Sequence, residues 1–160
     1  MKVIYTGKKT YALKDDRDHT LGTLKFLSHF SLKAVIEMNN ETTELAPKKW
    51  CSKVRVVQNA TEQGLLDLKW NGMSIQLNKN GSDETFWLKR FGFWKAAFVL
   101  LDSDKAERLK ITPVFRWKTM RYDYEIQPHQ AQRFAVDPQT MLICAYCINY
   151  INVVTAVAAT

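Results

Sequence analysis

Two cysteines near the C-terminus have the spacing of a redox motif, Cys144-x-x-Cys147. A dithiol of this kind reacts when a helix N-terminus or a neighbouring cation lowers the pKa of one thiol. The helix that we expect here begins at Pro138, which places Cys144 about two turns inside it, among apolar neighbours. Burial at such a position raises the pKa of a thiol, so we interpret both cysteines as core residues. A zinc site needs about four ligands, and only Cys51 and scattered histidines could complete one.

The other residues that commonly do chemistry are dispersed along the chain. His19, His29 and His129 lie in unrelated segments, and no nucleophile elbow accompanies them. The six glycines occur singly, so no glycine-rich loop could hold a phosphate. Carboxylates such as Asp102 and Asp104 have the spacing of turn residues. We therefore expect a protein that is not an enzyme and that uses no cofactor and no metal.

Basic residues interleaved with aromatic ones form the strongest candidate for a binding site. The chain carries a formal net charge of +7, which favours anionic partners. Cations flanked by aromatic rings suit an acidic lipid headgroup or stacked single-stranded bases. We predict that an anionic headgroup is bound by Lys89, Arg90, Lys95, Arg116 and Lys118.

The aromatic neighbours of these cations leave two interpretations open. Trp87, Phe91, Phe93 and Trp94 surround the first three cations, and exposed rings would complete a binding face. In an alternating strand the rings would instead point inward as core while the cations face water. The basic face would then only solubilise the protein. Nucleic acid is the less favoured ligand, because no RNP-like or helix-turn-helix pattern accompanies the charge.

The residues up to Gln127 read as short strands separated by turns. The clearest unit is a hairpin at residues 66–77, whose arms alternate apolar and polar residues about Asn71-Gly72. This dipeptide is the preferred pair of a type I′ turn. Residues 86–101 predict a second long hairpin, and residues 116–126 predict one long polar and aromatic strand. In total, the pattern indicates roughly ten to twelve strands.

The C-terminal residues follow a different pattern. No charged residue occurs in 141–159, and Asp137-Pro138 is a typical N-cap followed by a favourable first helical residue. A helix that is apolar on all sides lies in lipid or is buried on every side. Asn149 and Asn152 argue against lipid, because an unpaired amide in hydrocarbon is costly. We expect these amides to bond strand backbone at a barrel rim, or to line a small pocket.

Together these signals predict a mainly β protein, a closed antiparallel barrel wrapped around a buried apolar C-terminal α-helix. Closure removes exposed sheet edges, and the helix fills a lumen too wide for strand side chains alone. We place the barrel at about residues 2–127 and the helix at about residues 138–159. Both belong to a single predicted domain of residues 1–160.

This arrangement resembles the tubby C-terminal-like fold, most closely its LURP-one-related branch, with phospholipid scramblases as more distant relatives. The resemblance covers about residues 10–160 and is carried by FWKAAFVLLD at 93–102, RLKI at 108–111, FRWK at 115–118, YDYEI at 122–126 and the final helix. Tubby proteins bind phosphoinositides through basic strand residues, and scramblases are tied to calcium and lipid movement. Residues 127–136 contain no Asp or Glu, so the resemblance carries no calcium site to this chain.

The leading functional prediction is a non-enzymatic binding module that docks anionic phospholipid headgroups or a protein partner through a basic and aromatic face. Two further functions stay open. A small-molecule or lipid carrier barrel requires an empty lumen, and a tail-anchored membrane protein would place the final helix in a bilayer. Three cysteines and an N-terminus without a long apolar segment predict a cytoplasmic protein. Membrane docking would bring it to the bilayer surface as a peripheral protein.

Overall fold

Twelve strands form a closed barrel around one C-terminal helix. The computed structural model describes residues 1–28, 31–48, 52–92, 97–129 and 135–158, with helix side chains up to residue 156. The elements are β1 Lys2–Gly7, β2 Thr10–Lys14, β3 Thr20–Phe26, β4 Ala34–Met38, β5 Glu41–Pro47, β6 Lys53–Gln58, β7 Thr61–Lys69, β8 Gly72–Lys79, β9 Ser82–Phe91, β10 Ala97–Leu101, β11 Glu107–Arg116, β12 Arg121–Pro128 and α1 Pro138–Ala158.

Every strand pairs antiparallel with the strands before and after it in the chain. The barrel closes where β1 meets β12, with Lys2 opposite Glu125 and Val3 opposite Tyr124. Closure leaves no sheet edge free to pair with another chain. The prediction of a mainly β, closed antiparallel barrel of ten to twelve strands is therefore confirmed.

The alternation of apolar and polar residues sets which side chains face the lumen. On β6, Val54 and Val56 are buried whereas Lys53 and Arg55 are exposed. This period of two is the signature of a strand with one buried face. The predicted second hairpin also exists as the pairing of β9 with β10, although its connection at residues 93–96 lies outside the described residues.

The tip of the first predicted hairpin lies one residue earlier than we predicted. Lys69 pairs with Gly72, so the two loop residues are Trp70 and Asn71, and the prediction of a turn centred on Asn71-Gly72 is wrong. Gly72 is a strand residue with a φ of +152°, and a Cβ atom there would lie 2.1 Å from the carbonyl oxygen of Leu88. The close approach of β9 therefore requires a glycine at this strand position. The two-residue turn then falls on the residues just before it, Trp70 and Asn71.

The single long strand predicted at residues 116–126 is also wrong. The strand β11 ends at Arg116 and β12 begins at Arg121, and the chain reverses between them with the N–H of Thr119 donating to the carbonyl of Arg116 at 3.2 Å. This turn contains no Gly, Pro, Asn or Asp, so it carries none of the usual turn signals. The pairing of Phe115 with Tyr122 in the sheet imposes it instead.

The helix α1 occupies the lumen, as predicted. Asp137 caps it by accepting a hydrogen bond from the N–H of Thr140 at 3.1 Å, and Pro138 is its first residue. All side chains from 140 to 148 are buried, on every side of the helix. The hydroxyl of Tyr146 donates to the backbone carbonyl of Leu32 at 2.8 Å, which fixes the helix against the chain before β4.

The last turns of α1 extend out of the barrel. Asn152 is exposed and Val153 is 46% exposed. By length and composition residues 138–156 could cross a bilayer, but 61% of this stretch is buried inside the protein. We favoured hydrogen bonds from the amides of Asn149 and Asn152 to strand backbone, but within the described residues Asn149 makes none. It lines a small cavity and accepts a hydrogen bond from the hydroxyl of Tyr11 at 3.3 Å.

Candidate functional site

The barrel has two ends with different chemical character. Because each strand reverses the direction of the one before, successive connections lie at alternate ends of the barrel. The described residues of the connections at the basic end are 8–9, 27–28, 31–33, 48, 52, 70–71, 92 and 117–120. Those at the acidic end are 15–19, 39–40, 59–60, 80–81, 102–106, 129 and 135–137. The helix α1 enters the lumen from the acidic end and emerges at the basic end.

The two names follow from the charges of the connections. Among the described residues, the connections at the basic end contain no Asp or Glu and five lysines, which are Lys8, Lys9, Lys33, Lys48 and Lys118. Those at the acidic end contain six aspartates, Asp15, Asp16, Asp18, Asp102, Asp104 and Asp137, against two basic residues, Arg17 and Lys105, in the same described part. The charges of the connections therefore differ in sign between the two ends of the barrel.

Exposed apolar side chains are concentrated at the same end as the lysines. In the described part of the chain, seven large apolar side chains are exposed: Leu27, Trp70, Phe91, Trp117, Met120, Tyr122 and Val153. All seven belong to connections of the basic end, to the strand residues next to them or to the emerging end of α1. Exposed apolar residues that are scattered over a whole surface are normal, whereas these seven, although on separate turns, share one end of the barrel and make it the candidate interaction surface.

The local fold presents two tryptophans at the tips of turns. Trp70 occupies a two-residue turn and is 96% exposed. Trp117 opens the turn between β11 and β12 and is 79% exposed. Its ring lies edge-on against Phe115, with the ring centroids 4.8 Å apart, and Tyr122 packs on the same phenylalanine at 5.1 Å. These contacts hold the rings at the basic end without burying them.

The structure brings four of the five predicted headgroup residues to the basic end. Lys89 and Arg90 lie near the end of β9, Arg116 is the last residue of β11, and Lys118 lies in the turn that follows. Lys118 is therefore on a turn and not on the long strand that we predicted. Lys95 lies outside the described residues.

Most cations of the basic end have no acidic partner. Lys33, Lys69 and Arg116 pair with Glu44, Asp67 and Asp123 at 2.9, 2.6 and 2.6 Å. Within the described ranges, no ion pair involves eight further cations in or near these connections, which are Lys8, Lys9, Lys48, Lys53, Lys89, Arg90, Lys118 and Arg121. These eight charges are available to an anionic partner, whereas Arg116 already neutralises Asp123.

Phe86 of β9 packs against the core, but Trp87 and Phe91 of the same strand lie on its other face. Leu88 is fully buried and faces the lumen. Trp87, Lys89 and Phe91 alternate with it, so they share the outer face, where Phe91 is 72% exposed. The interpretation in which the rings point inward and the cations outward is therefore wrong for this strand. Its outer face combines a cation with aromatic rings.

The cysteines and histidines do not assemble a reactive site in the part of the chain that is described. Cys144 and Cys147 are buried, and this burial raises the pKa of both thiols, with the Asp137 charge raising that of Cys144 further. His19 contacts the carboxylate of Asp15 at 3.2 Å in a surface turn. No group of three metal-ligating His, Cys, Asp or Glu side chains occurs among the described residues. Cys51 and His29 lie outside them.

The carboxylates of the acidic end are engaged in the fold itself. Asp102 accepts hydrogen bonds from the N–H groups of Asp104 and Ala106, both at 2.9 Å, and from Arg108 Nε at 2.7 Å. Burial raises the pKa of Asp102, but these hydrogen bonds outweigh it and hold the pKa below the ordinary value. Burial likewise raises the pKa of Asp137, and hydrogen bonds from Lys79 and Thr140 lower it overall.

Several residues of the basic end were missed from the sequence. Lys8, Lys9 and Trp70 lie far along the chain from the predicted site, and only closure of the barrel brings them to the same end. One signal could have found them. In a meander of strands, every second turn lies at the same end, and every second turn of this chain carries lysine or tryptophan.

Comparison with known proteins adds no further identification: no family model, no curated protein and no solved structure matches this chain. The resemblance to the tubby C-terminal-like fold therefore stays a hypothesis that rests on the strand and helix residues that carry it.

Proposed function

We propose that this protein is a peripheral binding module that docks on anionic phospholipid surfaces with its basic end. The observation that carries the proposal is the coincidence of two features at one end of the barrel. The eight unpaired cations and the seven exposed apolar side chains both occur there, among the described residues. The docking function is non-enzymatic and uses only the surface of the folded barrel.

Electrostatic attraction supplies the first part of the argument. The cytoplasmic leaflet carries a negative surface potential, and each Lys or Arg near it contributes about 1 kcal/mol of attraction. The Asp-rich connections lie at the opposite end, so this difference in charge would orient the protein with the basic end toward the membrane. Long-range steering of this kind weakens as salt rises.

The aromatic residues favour a membrane over a protein partner. An acidic protein surface would also match the cations, and the sequence leaves such a partner open. Trp70 and Trp117, however, project separately from turn tips, which suits the headgroup layer, where tryptophan is enriched. A protein partner would more commonly cover one continuous apolar patch with a polar rim.

A small-molecule carrier and a tail-anchored protein are both less well supported than a docking module. The side chains of α1 occupy the lumen that a carrier requires. A tail-anchored protein would need α1 to leave the barrel. That would expose the core that the helix completes, at a cost of about 25 cal/mol per Å² of apolar surface.

Co-sedimentation with vesicles tests the proposal. We expect the protein to pellet with phosphatidylcholine vesicles that contain phosphatidylserine, to pellet less as salt rises, and to stay soluble with phosphatidylcholine alone. The double variant Arg90→Glu, Lys118→Glu should bind at least about tenfold more weakly, given about 1 kcal/mol for each charge.

The matched control is Arg17→Glu, Lys105→Glu, which changes the net charge equally at the acidic end. It should bind nearly as well as the unmodified protein. Equal losses in the two double variants would mean that only net charge matters. Equal binding to charged and neutral vesicles would also contradict the proposal.

A further inference from the structure

A small cavity opens at the basic end, beside the point where α1 emerges. It has a volume of about 100 Å³ and lies between the first three strands, the start of β12 and the end of the helix. Lys9 and Arg121 supply charge to its lining, Ser28 and Ser31 supply hydroxyl groups, and Tyr11 and Asn149 belong to the same lining.

The charge in this cavity is positive and uncompensated. No Asp or Glu is among the described residues that line it, and neither Lys9 nor Arg121 belongs to the ion pairs of that part of the chain. Asp123, the carboxylate on the same strand as Arg121, accepts hydrogen bonds from Arg116 at 2.6 Å and from the N–H of Tyr5 at 2.9 Å. The guanidinium of Arg121 lies 5.9 Å from the centroid of the Tyr5 ring. This contact positions the guanidinium, but the ring carries no charge that would neutralise it.

The lining of the cavity combines polar groups with the apolar side chains of Phe26, Leu32 and Val153. The hydroxyl of Tyr11 donates to Asn149 Oδ1 at 3.3 Å, and Asn149 Nδ2 donates to the carbonyl of Ala145 at 2.9 Å. Next to this pair lies Tyr124, which is fully buried. Burial raises the pKa of its hydroxyl and nearby Asn149 offsets part of that rise, yet no hydrogen bond of normal geometry reaches the oxygen within the described residues. A buried unpaired hydroxyl is uncommon, but Tyr124 does not line the cavity, so it shows only that the region behind the Tyr11 and Asn149 pair contains a further polar group.

The size of the cavity limits the ligand to one small group. A cavity of about 150 Å³ holds a benzene molecule, so this smaller one has no room for an acyl chain or a sugar ring. It suits a tetrahedral oxyanion that is attached to the rest of its molecule through one oxygen only, so that its other oxygens can enter the cavity. The fork of an arginine and the point charge of a lysine are the usual partners of phosphate.

We propose that this cavity binds the phosphomonoester group of a membrane lipid, a proposal that rests on the docking function proposed above. A phosphomonoester carries a charge of about −1.5 to −2 at neutral pH, which two cations match. A phosphodiester is flanked by substituents on both sides, so it could not enter a cavity of this size. The simplest lipid with this chemistry is phosphatidic acid.

The test compares two anionic lipids at equal surface charge. Vesicles that contain phosphatidic acid should bind the protein about tenfold more tightly than vesicles that contain phosphatidylserine, about the effect of one strong charged hydrogen bond. The double variant Lys9→Gln, Arg121→Gln should lose this preference and still bind both vesicles. The matched control Lys8→Gln, Lys118→Gln removes the same charge outside the cavity, so it should weaken both lipids equally and keep the preference.

A second variant tests the cavity without removing any basic residue. Ser31→Asp keeps every lysine and arginine and adds one negative charge at the exposed rim, so it should also abolish the preference. Melting temperatures near that of the unmodified protein will show that the variants fold. Equal affinity of the unmodified protein for the two lipids would overturn the proposal, and so would a preference that survives in the cavity variants.

Inorganic phosphate distinguishes the source of the ligand. If inorganic phosphate raises the melting temperature of the unmodified protein and not that of the Lys9→Gln, Arg121→Gln variant, the result would support phosphate binding in the cavity. It would also add free phosphate to the lipid as a source of the ligand. Selective binding to phosphatidic acid without such stabilisation would support the lipid alone. If no vesicle binds the protein, the docking function fails. Stabilisation by phosphate would then still support the cavity as an oxyanion site, and its absence would overturn it.

Discussion

The two ends of the barrel use their charges in opposite ways. At the acidic end, Asp102 and Asp137 accept several hydrogen bonds each and hold a loop and a helix terminus in place. At the basic end, Lys118, Arg90 and Lys8 have no ion-pair partner in the described part of the chain and extend from turns and strand ends. One set of charges stabilises the fold, whereas the other set is free for a partner.

The apolar residues show the same difference. α1 is buried on all sides near the acidic end, and its exposed residues, such as Val153, occur only where it emerges at the basic end within its described length. A chain selected for stability alone would be expected to bury or replace Trp70, which is 96% exposed. The contrast indicates that the lumen and the acidic end stabilise the fold, whereas the side chains of the basic end contribute little to it and form the surface for which we propose binding.

The largest expected effect is loss of the fold itself when the helix is removed. Deletion of residues 138–160 takes away the lumen side chains, each worth about 0.8 kcal/mol per buried CH₂, and their sum exceeds the roughly 5–15 kcal/mol that stabilises a domain. We expect no soluble folded monomer by gel filtration and circular dichroism. A monomeric product with an unchanged melting transition would show that the two ends do not depend on a common core.

The second largest effect is a loss of stability when a carboxylate of the acidic end is removed, with no change in vesicle binding. Asp102→Ala should lower the free energy of unfolding by about 2–3 kcal/mol, because it leaves Arg108 and two N–H groups without their charged acceptor. Denaturant unfolding measures the change, and vesicle binding should stay the same. Asp104→Ala, two residues away in the same turn and exposed, is the control and should change stability by less than about 0.5 kcal/mol. Equal losses in the two variants would refute the structural role of Asp102.

The third effect is a dependence of stability on pH that comes from the carboxylates of the acidic end. The pKa values of Asp102 and Asp137 are lower in the folded chain than the ordinary 3.8. The stability that these two carboxylates contribute is fully present well above pH 3.8. As the pH falls toward and below that value, the unfolded chain binds more protons than the folded chain. This contribution to the free energy of unfolding therefore falls, and it is lost once the pH is below the pKa values of the folded chain. Thermal melts should therefore show a falling melting temperature below about pH 5. A melting temperature that is constant down to pH 3 would contradict this account.

The smallest effect concerns a single ring at the basic end. Trp70→Ala should leave the free energy of unfolding within about 0.5 kcal/mol of the original value, because the side chain is almost fully exposed. Affinity for phosphatidylserine vesicles should fall several-fold, since the ring no longer enters the headgroup layer. Asn71→Ala in the same turn is the control and should bind normally. Unchanged affinity of the tryptophan variant would remove the aromatic part of the proposal.

Much of the fold could be predicted because its determinants are local. The alternation at Val54 and Val56 encodes a half-buried strand, and Asp137-Pro138 encodes the start of a helix whose apolar circumference requires a buried position. The errors occur where a distant contact decides. Gly72 is placed by β9, and the turn after Arg116 is imposed by sheet pairing without any turn residue of its own.

The site could be predicted only in part for a similar reason. Lys89, Arg90 and Lys118 were found because aromatic residues flank them in the sequence. Lys9 and Arg121 meet at one cavity only after β1 pairs with β12 and the barrel closes, so no spacing in the chain reveals them. Which charges are neutralised is likewise a tertiary property.

The most direct test of the account is the orientation of the protein on a membrane. Nitroxide labels at Met120→Cys on the basic end and at Ser103→Cys on the acidic end, in a Cys51→Ser background, report contact with lipid or water. On phosphatidylserine vesicles, the label at 120 should gain access to a lipid-soluble relaxing agent, while the label at 103 stays accessible to a water-soluble one. A label at 103 that enters the lipid, or a label at 120 that stays in water on bound protein, would contradict the central claim.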